Sequence, residues 1–124
     1  MENWKASYSL RVIGQSNLGA GAARNAGARA ASGEILVFID ADIVVSEAFL
    51  GAHLAAHEAK EGGMIVGRLL PWPNSVRNRV SKIFLQSFDL GSEAGDLLPR
   101  FGISGNLSIR ADDFQRVGGF DGTL

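Results

Sequence analysis

Ala31-Ser32-Gly33-Glu34-Ile35-Leu36-Val37-Phe38-Ile39-Asp40-Ala41-Asp42 is the stretch on which the fold turns. Its five consecutive apolar residues, Ile35 to Ile39, have the length of a strand and not of a helix. A continuous apolar run predicts burial on both faces, as in a parallel sheet. The run ends at two aspartates with one residue between them. In open α/β sheets ligands bind beyond the carboxyl ends of strands, so Asp40 and Asp42 stand where a ligand is expected. Two carboxylates at this spacing can serve one hard cation, Mg2+ or Mn2+, which favours one or two protein carboxylates together with phosphate oxygens. The competing reading is architectural, because loop aspartates also form turns and cap helices.

Outward from this stretch the chain alternates strand and helix signals. Leu10 to Ile13 reads as a short strand. Residues 18–32 read as a helix with Gly33 placed to stop it. Its small residues Ala22, Ala23, Ala26, Gly27 and Ala30 suit close packing on a sheet. Strand, helix and strand over residues 10–39 predict a right-handed βαβ unit. Downstream, Ser46 is placed to cap a helix running to about Lys60, with Phe49, Leu50 and Leu54 as its apolar face. Gly62-Gly63 ends it, and Met64-Ile65-Val66-Gly67 reads as a third strand. Residues 75–90 have helical spacing of apolar residues, and residues 91–100 read as a loop. Ile103 to Ile109 reads as a strand, and Ala111 to Val117 as a short helix closed by Gly118-Gly119. The fold class predicted is α/β, with a mainly parallel sheet and flanking helices.

Composition narrows the function. The chain has 124 residues, 46% hydrophobic and 20% charged, which places it among globular domains and not disordered chains. A net charge of -1 gives no basic surface for phosphate backbones, so nucleic acid is not an expected partner. No cysteine is present, which excludes disulfides, thiolate metal sites and cysteine nucleophiles. No apolar run reaches the roughly 18 residues of a membrane span. The sixteen glycines suggest tight turns and close backbone approach.

Three blocks in order carry a resemblance. The first is Asn17-Leu18-Gly19-Ala20-Gly21-Ala22-Ala23-Arg24-Asn25-Ala26-Gly27. The second is Ala31 to Asp42, quoted above. The third is Ser104-Gly105-Asn106-Leu107-Ser108-Ile109-Arg110, followed by Phe114 and Val117-Gly118-Gly119-Phe120-Asp121. Over roughly residues 10–124 the pattern resembles that of the family 2 glycosyltransferases. The resemblance implies a GT-A, Rossmann-like fold, incomplete here, and a single partial glycosyltransferase domain over residues 1–124. It implies transfer of a sugar from a nucleoside-diphosphate sugar to a sugar, lipid or protein acceptor. By the same resemblance Asp40 contacts the ribose or donor sugar, and Asp42, with Asp40 beside it, binds Mg2+ or Mn2+ with the diphosphate. Asn17, Gly19 and Arg24 fall on the nucleotide side, and Gly105 and Asn106 on the donor-sugar and acceptor side. A glycine-rich helix start independently offers free N–H groups to anions. Arg24 can hold a phosphate or the aspartates, or, with Asn25, simply tie the helix to the aspartate loop.

The family also carries two earlier strands and, after its G-G-F-D block, an acidic pair whose aspartate is the general base of inverting members. Neither falls within residues 1–124. The base is therefore expected beyond Leu124, Asp121 is not assigned that role, and the 124-residue chain is expected not to turn over by itself. An unpaired sheet edge and self-association are expected for the same reason. The location expected is cytoplasmic, peripheral to a membrane only if segments outside this chain anchor it.

Other readings compete. Gly19-Ala20-Gly21 followed by Asp40 imitates a dinucleotide fingerprint, but Arg24 replaces its third small residue. Phe38-Ile39-Asp40-Ala41-Asp42 resembles the nucleophile motif of haloacid-dehalogenase-like phosphatases, with Asp40 attacking phosphorus. A truncated or degenerate nucleotide-sugar-binding module without activity is a third possibility. His53 and His57, four apart on a helix, read as part of a solvated face. Trp72 suits stacking on a sugar ring or anchoring its loop. Arg77, Arg79 and Lys82 beside the apolar stripe of residues 75–90 suit a membrane surface or ordinary packing.

Overall fold

The apolar run forms a strand, but its neighbours are not those that local spacing suggests. The computed structural model describes residues 8–70 and 104–121. Its elements are α1 (Gly19–Ala30), β1 (Ile35–Ile39), α2 (Phe49–Ala59), β2 (Met64–Val66), β3 (Asn106–Arg110) and α3 (Ala111–Arg116). Trp72, the helix expected over residues 75–90, the loop at 91–100 and Ile103 lie outside the described residues.

The three strands form one sheet in the order β1-β3-β2, with β3 antiparallel to both neighbours. β1 and β2 therefore point the same way and are joined through α2, yet β3 lies between them. Among the described residues both pairings are antiparallel, where a mainly parallel sheet was expected. Strand–helix–strand spacing fixes the common direction of β1 and β2 but not what fills the gap. A strand arriving from far along the chain fills it.

Leu10 to Ile13 is not a strand, so the βαβ unit expected over residues 10–39 is absent. Residues 9–18 have no regular structure, and Leu10, Val12 and Ile13 are exposed. An isolated apolar tetrapeptide has no ladder to join, and strand propensity without a partner stabilises little.

Alternation in β3 sorts the sheet into two faces. Leu107 and Ile109 lie on one face, opposite Phe38 and Leu36 of β1, and these four make the buried core. Ala28 of α1, Phe114 of α3, Phe120, Ala111 and Val66 pack against them. The rings of Phe38, Phe114 and Phe120 pack mutually, with centroids 5.0–5.6 Å apart. The other face carries Ser108 and Asn106 and is covered by α2. β1 is thus fully buried on one face only, and Ile39 is exposed at its end. That corrects the expectation of burial on both faces.

Two details of α2 also differ from expectation. Ser46 does not cap it with its side chain; the preceding residue is Ala48, and Ser46 contributes only its carbonyl, which accepts from the Phe49 N–H at 3.1 Å. Leu50 and Leu54 point outward, whereas His53 and His57 are buried against the sheet. α1 ends at Ala30, two residues before the end expected, and Ala31 after it has extended backbone. The closure of α3 is as read: Gly118 and Gly119 have φ of 84° and 79°, and the Gly119 N–H donates to the Phe114 carbonyl at 3.0 Å.

Leu107, 3% exposed and flanked by both other strands, is the best probe of this core. Leu107→Ala is expected to cost about 3 kcal/mol through lost burial and the cavity left behind. The shift of the urea midpoint at unchanged m-value measures it.

Candidate functional site

The carboxyl ends of β1 and β2 and the amino end of β3 meet at one end of the sheet. Asp40 leaves β1 there. Its N–H donates to the Gly105 carbonyl at 3.2 Å, and its carbonyl accepts from the Ile43 N–H at 3.1 Å. The second bond closes a turn with Ala41 and Asp42 at its tip. The turn expected by the architectural reading is therefore present, but neither aspartate caps α2, and the turn leaves Asp42 exposed at the strand's carboxyl end.

Arg24, one turn into α1, reaches this turn. Its Nη2 donates to Asp40 Oδ1 at 2.6 Å, and the guanidinium lies 5.7 Å from the centroid of the Phe120 ring. The pair is partly exposed, 21% and 46% for the two side chains, so its worth to stability is small. Its effect is orientation, because a charge-assisted bond fixes one carboxylate oxygen. The second oxygen faces Gly105, where any Cβ would lie 2.7 Å from Asp40 Oδ2.

Asn25, next to Arg24, does not bind the aspartate turn. Its Nδ2 donates to the Phe120 carbonyl at 2.8 Å, and the Phe120 N–H donates to its Oδ1 at 2.9 Å. The glycine of α1 that matters for packing is Gly21, whose missing Cβ makes room for the Asp121 carbonyl. At the start of α1, Asn17 Oδ1 accepts from the Gly19 N–H at 3.3 Å, and both residues are exposed. Gly19 has φ of 87°, a conformation that favours glycine.

Asn106 is buried, and its amide is spent inside the protein. Its Oδ1 bonds His53 Nε2 at 2.9 Å, and its Nδ2 donates to the Arg68 carbonyl at 3.4 Å. Gly67, just past β2, must lack a side chain because a Cβ there would overlap the Asn106 amide. Asn106 thus fastens the chain leaving β2 to the sheet.

The histidines are the largest departure from the sequence reading. His53 and His57 are 5% and 1% exposed, not on a solvated face. His53 Nδ1 lies 2.7 Å from Ser108 Oγ, and His57 Nε2 lies 2.9 Å from the same oxygen. Phe49 packs edge-on against the His53 ring. His57 titrates below its ordinary value of 6.5, first because burial disfavours its charged form, then because Arg110 and His53 are close; Asp113 and a hydrogen bond to Ser108 oppose this without reversing it. A signal for this arrangement was present. Phe49, His53 and His57 recur every fourth residue, and Ser108 interrupts the apolar pair Leu107 and Ile109 at strand alternation.

Among the described residues, no group of three or more His, Cys, Asp or Glu side chains converges on a common point, and no helix is long and apolar enough to cross a membrane. A separate cavity of about 300 Å³ lies between α1 and α3, lined by Asn25, Ala28, Leu36 and Phe114 among others, and the aspartate turn takes no part in it.

Two outcomes follow from this geometry. Gly105→Ala is expected to displace Asp40 from Arg24 and to destabilise the fold by about 1–3 kcal/mol through overpacking, read by chemical unfolding. For His57 the folded ring resists a proton that the unfolded chain accepts. Stability is therefore complete above pH 6.5 and declines as pH falls below that value. Urea midpoints at pH 7.5 and 5.5 measure the decline, which His57→Gln is expected to flatten.

The model for the family described as Glycosyl transferase family 2 matches residues 2–118. No curated protein and no solved structure gives a match.

Proposed function

The chain belongs to glycosyl transferase family 2, and from that premise we propose that its Asp40–Asp42 turn holds the diphosphate of a nucleotide sugar through Mg2+ or Mn2+. Membership implies a nucleotide-sugar donor and an acceptor. The observation that supports the finer reading is the turn itself: two carboxylates at the carboxyl end of β1, one gripped by Arg24 and the other exposed.

The residues present suit such a group. A pair of carboxylates is the donor set that Mg2+ and Mn2+ take when phosphate oxygens complete the shell. When bound, the cation neutralises the charge that grows on a departing nucleoside diphosphate, where stabilisation counts most. Asp42 serves as the principal metal ligand. Asp40, its orientation fixed by Arg24, faces the ribose or donor sugar and shares the ion. Asn17 and Gly19, at the exposed start of α1, line the nucleotide side. Gly105 keeps the space behind Asp40 free of side chain. Asn106 acts indirectly, by fixing Arg68 at the same end of the sheet.

Calorimetric titration of UDP and of GDP, each with and without Mn2+, tests the reading and does not require turnover. Binding that depends on Mn2+ and is lost in Asp42→Ala is expected. Arg24→Ala, which removes the partner orienting Asp40, is expected to weaken it by about tenfold, within the range typical of groups that orient metal ligands. Binding of either nucleotide unaffected by Mn2+ removal or by Asp42→Ala would count against the proposal.

A further inference from the structure

The polar chain beneath α2 has a definite proton direction. Asn106 donates from Nδ2 to the Arg68 carbonyl, so its Oδ1 faces His53 and can only accept. His53 Nε2 therefore carries a hydrogen. In the neutral ring Nδ1 is then an acceptor, and the Ser108 hydroxyl donates to it. Ser108 Oγ in turn accepts from His57 Nε2. Three hydrogens satisfy three bonds. What remains over is His57 Nδ1, a buried acceptor with no partner.

A fourth hydrogen has no acceptor within the chain. On His57 it would sit on the unpartnered Nδ1. On His53 it would drive two N–H groups at Ser108 and leave the serine hydrogen without its acceptor. Either position places a buried donor without a partner, which is costly in a dry interior. The charged groups acting on His57 are Arg110 from β3, which disfavours a proton, and Asp113 from α3, which favours one. Arg110 also donates to the His57 carbonyl at 2.7 Å and anchors the last turn of α2. From β1 the facing positions are Ile35, Val37 and Ile39, and from β2 Ile65, none of which titrates.

We propose that His53 is a positioning residue of the donor site: its Nε2–H, fixed in place by the neutral His53–Ser108–His57 chain, holds the Asn106 amide in the orientation that ties Arg68 to the sheet. The proposal rests on the nucleotide-sugar reading of the same end of the sheet. Its chemistry is separate, since no member of the chain needs to touch substrate.

The side-chain amide of Asn106 reports the hold directly. In the 15N-labelled 124-residue chain, its signals are expected to depend on an N–H at the His53 Nε2 position. His53→Gln retains an N–H near that position. It is expected to keep the Asn106 signals near their wild-type positions and to retain Mn2+-dependent nucleotide binding. His53→Ala is expected to displace those signals at every pH and to weaken Mn2+-dependent UDP or GDP binding by about tenfold, the loss typical of one buried hydrogen bond. Asn106 signals unchanged by His53→Ala, or displaced as far by His53→Gln as by His53→Ala, would overturn the proposal. Loss of the nucleotide reading has a different signature: no Mn2+-dependent binding in any of the three proteins while the Asn106 signals still respond to His53→Ala.

Discussion

The pairing of β3 with two strands at once is the constraint on which the rest of the structure depends. Among the described residues β1 and β2 do not bond to each other, and each meets the sheet only through β3. The register of those five residues decides everything on both faces, because a slip of one would exchange them. In the observed register Leu107 and Ile109 complete the apolar core while Asn106 and Ser108 face the histidines of α2. The two sets are not interchangeable: neither tolerates the environment of the other.

The same pairing assembles the candidate site. Antiparallel entry of β3 brings its first residues beside the last residues of β1 and β2. Gly105 thereby meets Asp40, and Asn106 meets Gly67 and Arg68. Arg24 approaches from α1, which Asn25 locks onto Phe120. The aspartate turn is therefore held from two sides, by Gly105 and by Arg24, both distant from it in sequence. Glycine occupies each close approach for a different reason: Gly105 beside a carboxylate, Gly67 beside an amide, and Gly21 beside a main-chain carbonyl.

Much of this was legible locally and little of it globally. The apolar run 35–39 announced a strand, and the aspartates after it announced a turn at a strand end. Gly118-Gly119 marked the end of α3 through its left-handed backbone. Family membership was legible because three separated blocks kept their order. Sheet order was not legible, since nothing in residues 35–66 shows that residue 106 will enter between the two strands. The strand expected at residues 10–13 failed because propensity was read without a partner. The inward face of α2 was misassigned because hydrophobicity alone chose Leu50 and Leu54. Histidine is buried when its nitrogens are satisfied, and Ser108 and Asn106 satisfy three of the four in this pair. That complementarity joins residues about fifty apart and is visible only once both elements are placed.

The clasp between Asn25 and Phe120 spans 95 residues. During synthesis on the ribosome, α1 emerges long before the segment that fixes it. β1 likewise waits for β3 before it can join any described ladder. Until then the nascent chain carries that apolar run without its described partner through the crowded exit environment, the kind of surface that chaperones exist to shield.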